Sequence, residues 1–197
     1  MKLIYKGKYS GDEKELPHRE VEGAAPFKEP QTMEALAKQA TWISLVILFG
    51  LSLITGMVCA RADVKFYDHG WQIALGLICS FLVLIPHEFI HAICFKGEVE
   101  LFENLSQGLL FVIGTEDMSK GRFIFMSLLP SIVFGAIPYI AFLIHPQFVF
   151  GAVFGGLSLS MGAGDFINVW NAFRQVPKNA LVYLSGMHSY WYLPEKR

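Results

Sequence analysis

Four stretches of this sequence are long enough and apolar enough to cross the hydrocarbon core of a bilayer, which is roughly 30 Å thick. They cover residues 41–60, 71–95, 123–145 and 147–173. Inside a bilayer the backbone must satisfy its own hydrogen bonds, so each stretch is expected to be a helix. The composition agrees, because 53% of the 197 residues are hydrophobic and the mean hydropathy is +0.42. The predicted fold class is therefore an all-α membrane protein with about four transmembrane helices.

The spans divide the chain into three parts. A polar N-terminal arm covers residues 1–40, the four-helix membrane domain covers residues 41–173, and an aromatic-rich tail covers residues 174–197. The arm is expected to open with a short strand at residues 3–5 and to end in a helix after Pro30 that continues into the first span. It either binds a partner or forms a solvated cap. The aromatic residues of the tail are typical of anchors at a membrane interface.

The loop between the second and third spans is expected to contain a short β-hairpin. Residues 98–102 and 109–113 have the pattern of strands, around a turn containing Asn104 and Gly108. A strand edge beside a functional site could hold an extended substrate by backbone hydrogen bonds. An amphipathic element lying on the membrane surface is equally compatible with this pattern.

The distribution of basic residues orients the predicted bundle. Fourteen Lys and Arg residues lie in the arm, the loop after span two and the tail, against two in the remaining loops. By the positive-inside rule, both termini are expected in the cytoplasm, with the chain a multi-pass protein of the plasma membrane. No cleavable signal peptide is expected, because the first apolar run begins only near residue 41.

The net charge argues against a nucleic-acid-binding protein, and the cysteine positions argue against a disulfide framework. The net charge is −1, so the chain offers no basic surface for nucleic acid. Its three cysteines, Cys59, Cys79 and Cys94, all fall in apolar segments and form no spaced framework. They are expected to be free, buried thiols. The expected partners are the lipid bilayer and a protein or peptide in or near it.

The second span contains the motif His87-Glu88-Phe89-Ile90-His91. Two histidines one helical turn apart point the same way, so two ring nitrogens can bind one metal ion, for which zinc is the predicted choice. Glu88 lies about 100° further round the helix, where it can reach a metal-bound water as a general base. A purely structural trio of hydrogen-bonded side chains is the alternative, although it requires neither this spacing nor these identities.

A catalytic zinc site usually has three protein ligands, so a third is expected elsewhere. Asp165 is the only charged residue of span four before its last turn, and it lies at the same predicted depth as His87 and His91. Glu116 and Asp117 of the loop are alternative ligands. Asn168, one turn after Asp165, is a candidate for orienting it or binding substrate, with simple packing as the alternative.

Two features of the helices bear on this site. Pro86 cannot donate to the carbonyl of Leu82, so span two is expected to bend just before the motif. Small residues also recur on one face of span four, and such stripes mark close helix approach. We expect this stripe to face span two. It consists of Gly151, Gly155, Ser158 and Gly162, and leads to Asp165.

Taken with its motifs, the chain resembles a family of small bacterial membrane proteins described as zincin peptidases, a domain of unknown function. The resemblance covers most of the chain. It is carried by residues 23–30 of the arm, the motif at residues 87–91, residues 118–123 before span three and residues 162–165 in span four. The resemblance implies a zinc-dependent metalloendopeptidase.

The layout is also similar to that of site-two proteases, which cut substrates within the membrane and join a histidine pair to an aspartate from a later helix. This similarity implies His87, His91 and Asp165 as zinc ligands, with Glu88 as the base. It implies intramembrane hydrolysis of a peptide bond by activated water. Site-two proteases have Gly after that aspartate, whereas Phe166 follows here. The oxyanion partner is unassigned; candidates are Asn168, His188 and Tyr190.

Two other functions fit parts of the sequence. Residues 162–165 also spell the Gly-x-Gly-Asp of intramembrane aspartyl proteases, and Tyr67-Asp68 matches their second motif. Those enzymes need two adjacent carboxylates, whereas Asp68 and Asp165 are predicted at opposite ends of the bundle. The other alternative is a metal-binding membrane protein or scaffold without turnover, since a motif shows capacity and never activity.

Overall fold

The computed structural model describes residues 1–104 and 109–194, with seven α-helices in this part of the chain. They are α1 (Met33–Arg61), α2 (Gly70–Leu82), α3 (Leu84–Ile93), α4 (Lys120–Pro130), α5 (Ile137–Ile144), α6 (Val149–Met161) and α7 (Ala163–Gln175). A π-helical turn at Ser131–Ala136 joins α4 to α5 without a break in the span. Short 3₁₀ turns cover Glu13–Glu15 and Phe66–His69.

The described residues also contain seven β-strands in two sheets. They are β1 (Lys2–Lys8), β2 (Ala25–Pro26), β3 (Glu98–Asn104), β4 (Leu109–Ile113), β5 (Met118–Ser119), β6 (Leu181–Ser185) and β7 (His188–Tyr192). One sheet has the order β1-β3-β4, with β1 parallel to β3 and β4 antiparallel to it. The other is antiparallel and has the order β2-β7-β6-β5.

Two helical segments of the described chain are each long and apolar enough to span a membrane, Met33–Arg61 and Lys120–Ile144. Two bent pairs pass the same test as single broken spans, α2 with α3 and α6 with α7, which gives up to four spans. Large apolar side chains such as Trp42, Phe49 and Phe81 are more than 60% exposed on the outside of these helices. Such exposure is unfavourable in water and suits contact with lipid, so the fold is consistent with a membrane protein.

The expectation of a purely all-α fold is wrong, because the arm, the loop and the tail form the two sheets. Several strand pairings join residues far apart in sequence, such as Lys2 with Glu98 and Ala25 with Trp191. Local patterns cannot reveal such pairings. The strands at Glu98–Asn104 and Leu109–Ile113 form the antiparallel pair that the sequence predicts. The predicted turn extends into residues 105–108, which lie outside the described residues.

The arm and the tail pack on the rest of the chain. The arm opens with β1, continues through β2, and enters α1 at Thr32, whose hydroxyl accepts a hydrogen bond from the Ala35 N–H at 3.3 Å. The arm is therefore a structural part of both sheets. The tail forms the hairpin β6–β7, in which Tyr183 is buried and stacks on Tyr190. Because β2 pairs with β7, both terminal segments lie at the same end of the molecule.

Both broken spans bend close to the predicted metal ligands. Helices α2 and α3 meet at Val83 with a 47° bend. After the bend, the helical backbone hydrogen bonds continue with the His87 N–H, which donates to the Val83 carbonyl at 2.8 Å. Pro86 lies one turn into this region and lacks an N–H, which accounts for the bend. Helices α6 and α7 meet at Gly162 with a 52° bend.

The small-residue stripe of span four faces a different helix from the one predicted. A Cβ on Gly155 would lie 2.6 Å from the Tyr139 nitrogen of α5, so this face of α6 packs closely on span three. Span two approaches another face of α6, where Gly76 packs against Val153 and Phe154. Helix α6 is therefore the central helix, with α1, α2 and α5 around it.

Candidate metal centre

The histidines of the motif face each other at the end of the broken span α2–α3. Their Nε2 atoms are 3.2 Å apart, and their ring centroids are 4.9 Å apart with an interplanar angle of 74°. Side chains four residues apart lie on the same face of a helix, which brings the two rings together. The bend at Val83 turns α3 so that this face points towards α7.

The carboxylate of Asp165 completes a triangle with the two histidines. Its Oδ2 lies 3.2 Å from the His87 Nε2, and its Oδ1 lies 3.3 Å from the His91 Nε2. Asp165 is in the first turn of α7, directly after the bend at Gly162. Tetrahedral zinc with bonds of about 2.0–2.1 Å separates its ligand atoms by about 3.3 Å, so these three groups have the spacing and the chemistry that zinc requires.

A backbone carbonyl fixes the orientation of His91. Its Nδ1 lies 3.1 Å from the carbonyl oxygen of Met126 in α4. Because a carbonyl oxygen can only accept, Nδ1 carries a proton and donates it, so in the neutral imidazole the Nε2 that faces His87 and Asp165 is free to bind a metal. This is the usual outer contact of a metal-binding histidine, since it sets both the tautomer and the ring orientation.

Glu88 points to the strand β4 beside the histidines. Its Oε2 accepts a hydrogen bond from the Val112 N–H at 3.1 Å. One ligand atom each from His87, Glu88 and His91 lie within 4.8 Å of one another, so a His-Glu-His set is a second way to hold a metal here. The Asp165 carboxylate differs from Glu88 in contacting both histidine Nε2 atoms, at 3.2 and 3.3 Å. Glu88 therefore lies beside the two histidines and is held by the strand β4.

A cleft of about 220 Å³ opens beside these groups and includes Glu88, His91 and Asp165 in its walls. Asn168, one turn after Asp165, also lines it. Helices α3, α4 and α7, the strand β4 and the hairpin β6–β7 with its turn all contribute residues to its lining. A concave site with a few converging polar groups is the usual form of a ligand-binding or catalytic site.

A comparison with protein families identifies the same part of the chain. A family model described as "Putative zincin peptidase" matches residues 80–181, which is more than half of the chain and includes both histidines, Glu88 and Asp165. The chain belongs to this family. No curated protein and no solved structure matches it.

In this member of the zincin peptidase family, the other acidic residues that the sequence offers as metal ligands make contacts away from the two histidines. Glu116 accepts hydrogen bonds from the backbone of Lys96 and Gly97 and pairs with Arg122. Asp117 pairs with Arg19 at 2.9 Å. Each contact stabilises the chain around β5 and leaves Asp165 as the carboxylate that meets the two histidines. Asp68 lies in the 3₁₀ turn before α2, at the other end of the broken span from the motif.

Two candidates for oxyanion stabilisation lie outside the cleft walls. His188 pairs with Glu29 at 3.1 Å, and Tyr190 stacks on Tyr183 within the hairpin. Their neighbours Met187 and Ser189 line the cleft instead. Sequence reasoning did not identify these two residues as part of the site. A glycine between two aromatic, alternating runs is a hairpin signal that could have placed Met187 at a turn.

Proposed function

We propose that this chain is a zinc-dependent endopeptidase that hydrolyses a peptide bond of a protein substrate in or beside the membrane. The observation that supports this most is the convergence of the His87 Nε2, the His91 Nε2 and the Asp165 carboxylate. The two nitrogens are 3.2 Å apart, and each lies 3.2–3.3 Å from one of the two carboxylate oxygens. Family membership supports the same chemistry, because the description is that of a zinc-dependent peptidase.

The roles of the residues follow from their positions. His87, His91 and Asp165 would hold zinc, and His91 is kept in the required tautomer by the Met126 carbonyl. When bound, zinc acts as a Lewis acid that polarises the scissile carbonyl and lowers the pKa of a water to about 7. Glu88 would take the proton of the attacking water and pass it to the leaving amine.

The remaining groups of the cleft bind and orient the substrate. The hydrogen bond from the Val112 N–H holds Glu88 in place between the strand and the metal ligands. Asn168 offers an amide on the same wall as Asp165, where it can orient the substrate carbonyl. The mixed donor set of two imidazoles and one carboxylate is one that zinc hydrolases use.

The location of the cleft supports a substrate at the membrane. The ligands lie at the junction between the apolar helices and the sheets, because α3 is the last part of its span and packs directly on β4. We propose that this end faces the cytoplasm, as the excess of basic residues in the arm, loop and tail predicts. Reporter fusions at either terminus, active only on the cytoplasmic side, would support this topology, and an external signal would contradict it.

The decisive experiment compares wild-type protein with Glu88→Gln in detergent. Glutamine retains an oxygen that accepts the Val112 hydrogen bond but cannot take a proton, so peptide hydrolysis should fall about 10²–10⁴-fold. Zinc content should stay unchanged. Glu22→Gln, an exposed change in the arm, is the matched control and should keep full activity. Full activity in Glu88→Gln would rule out the proposed base. Bound zinc without hydrolysis in the wild type would indicate a non-catalytic metal protein.

A further inference from the structure

The turn of the C-terminal hairpin lies against the metal centre. Strands β6 and β7 are joined by the two residues Gly186 and Met187, and both line the cleft that contains Glu88. Gly186 has φ of +59° and Met187 does not have a positive φ, as in a tight hairpin turn with glycine at its first central position. The tail therefore supplies a wall of the site that is about 100 residues away from the motif in sequence.

The N-terminal arm fixes this turn in position. The Gly186 N–H donates to the Pro17 carbonyl at 3.0 Å, and the Arg19 N–H donates to the Ser185 hydroxyl at 3.0 Å. On the opposite strand, Glu29 accepts a hydrogen bond from the Ser189 N–H at 3.2 Å. Hydrogen bonds from the arm thus hold the hairpin on both sides of the turn, so the position of the turn beside the cleft is fixed by the fold.

Strand β4 lines the same cleft with Phe111, Val112 and Ile113. It is an edge strand of its sheet, because the strand order ends at β4. The volume between the walls is about 220 Å³, below the roughly 300–1,000 Å³ of sites that hold a drug-sized ligand. A helix is about 10–12 Å across with its side chains and requires more room than this. The cleft has space for one side chain of an extended segment.

The walls of the cleft are apolar away from the metal ligands. Its large side chains are those of Phe95, Phe111, Ile113, Met126, Leu184 and Met187. Its charged residues are Glu88, Asp165 and, when protonated, His91, all at the metal centre. No lysine or arginine lines it in the described part of the chain, so an acidic substrate side chain would find no partner there.

We infer that the Gly186–Met187 turn is the second wall of the substrate cleft, and that this cleft receives one bulky apolar side chain next to the scissile bond of an extended peptide. Met187 is then a specificity-determining residue. The inference rests on the proposed peptidase function and adds the class of substrate. It also gives the arm a role, since the arm holds the turn at the distance that sets the size of the cleft.

The test uses quenched fluorescent peptides with one variable position, Ala, Leu, Phe or Trp, in a small polar sequence, with the cut assigned by mass spectrometry. One methylene in an apolar pocket changes specificity about 10–200-fold. Wild-type protein should thus prefer Leu or Phe over Ala by at least about tenfold. Met187→Ala should shift the preference towards Trp by a similar factor. Leu193→Ala, an exposed change just past the same hairpin, should leave it unchanged.

A binding measurement separates this inference from the proposed function. Fluorescein-labelled forms of the same peptides are titrated against Glu88→Gln protein, with and without Met187→Ala. Hydrolysis whose side-chain preference is the same in wild type and Met187→Ala would overturn the inference and leave the peptidase intact. Binding that follows the predicted order and shifts with Met187→Ala, without hydrolysis by the wild type, would support the cleft and contradict the peptidase. Neither binding nor hydrolysis would overturn both.

Discussion

The close approach of α5 and α6 gives a prediction whose size follows from the structure. An alanine Cβ at position 155 would lie 2.6 Å from the Tyr139 backbone nitrogen and 2.7 Å from the Gly135 carbonyl oxygen. Neither backbone atom can rotate away, so the two helices would have to move apart by several tenths of an ångström. Overpacking of this kind lowers stability by about 1–3 kcal/mol.

The neighbouring glycine is a matched control for this change. A Cβ at position 156 would lie 3.7 Å from the nearest ring atom of Tyr139, which is an ordinary contact. Both substitutions gain helix propensity, up to about 1 kcal/mol each, so that gain cancels between them. Gly155→Ala should therefore be less stable than Gly156→Ala by about 1–3 kcal/mol.

Thermal unfolding in detergent, followed by circular dichroism, measures this difference. For a chain of this length 1 kcal/mol corresponds to roughly 2–4 °C in Tm, so Gly155→Ala should melt roughly 2–12 °C below Gly156→Ala. Equal melting temperatures for the two variants would show that α5 and α6 are not in close contact at this crossing.

Three further predictions concern the bend, the loop and the hairpin. Pro86→Ala restores a backbone N–H donor and should straighten the span, which moves the histidines away from Asp165. Zinc affinity, measured by competition with a chelator, should fall at least about 10–100-fold. Arg122→Met removes the partner of Glu116 and the donor to the Cys94 carbonyl, and should lower the free energy of unfolding by about 1.5–3 kcal/mol in denaturant titrations. Burial raises the pKa of the Glu29 carboxyl above its ordinary value of 4.5. The folded state then holds this proton more tightly than the unfolded chain, so stability is fully present below the ordinary pKa and is lost as pH rises through the raised value. Glu29→Gln should remove this loss in melts recorded from about pH 4 to about pH 7, and an unchanged pH profile would refute the assignment.

Local sequence patterns predict the helical parts of the site. The motif spacing places His87 and His91 on one face, and Pro86 predicts the bend, because both depend only on residues within a turn or two. The depth of Asp165 follows from counting residues along two spans. These arguments require no knowledge of which helices are neighbours.

Pairings between distant segments could not be predicted in this way. Strand β1 pairs with β3 and β2 pairs with β7, although each pair is separated by more than 80 residues. The side-chain pattern of a strand indicates which face is buried but does not identify the strand that pairs with it. The same limit explains why the stripe on α6 was assigned to the wrong neighbour, since a row of small residues marks close approach without identifying the helix that approaches.

The metal content of purified protein tests the central claim most directly. Plasma mass spectrometry on detergent-purified wild type should find about one zinc per chain, as a three-ligand site predicts. Asp165→Ala and His87→Ala should each lose most of it, while Asp117→Ala, which removes an acid paired with Arg19, should retain it. Zinc kept in Asp165→Ala and lost in Glu88→Gln would assign the third ligand to Glu88. A wild type without zinc would contradict the account.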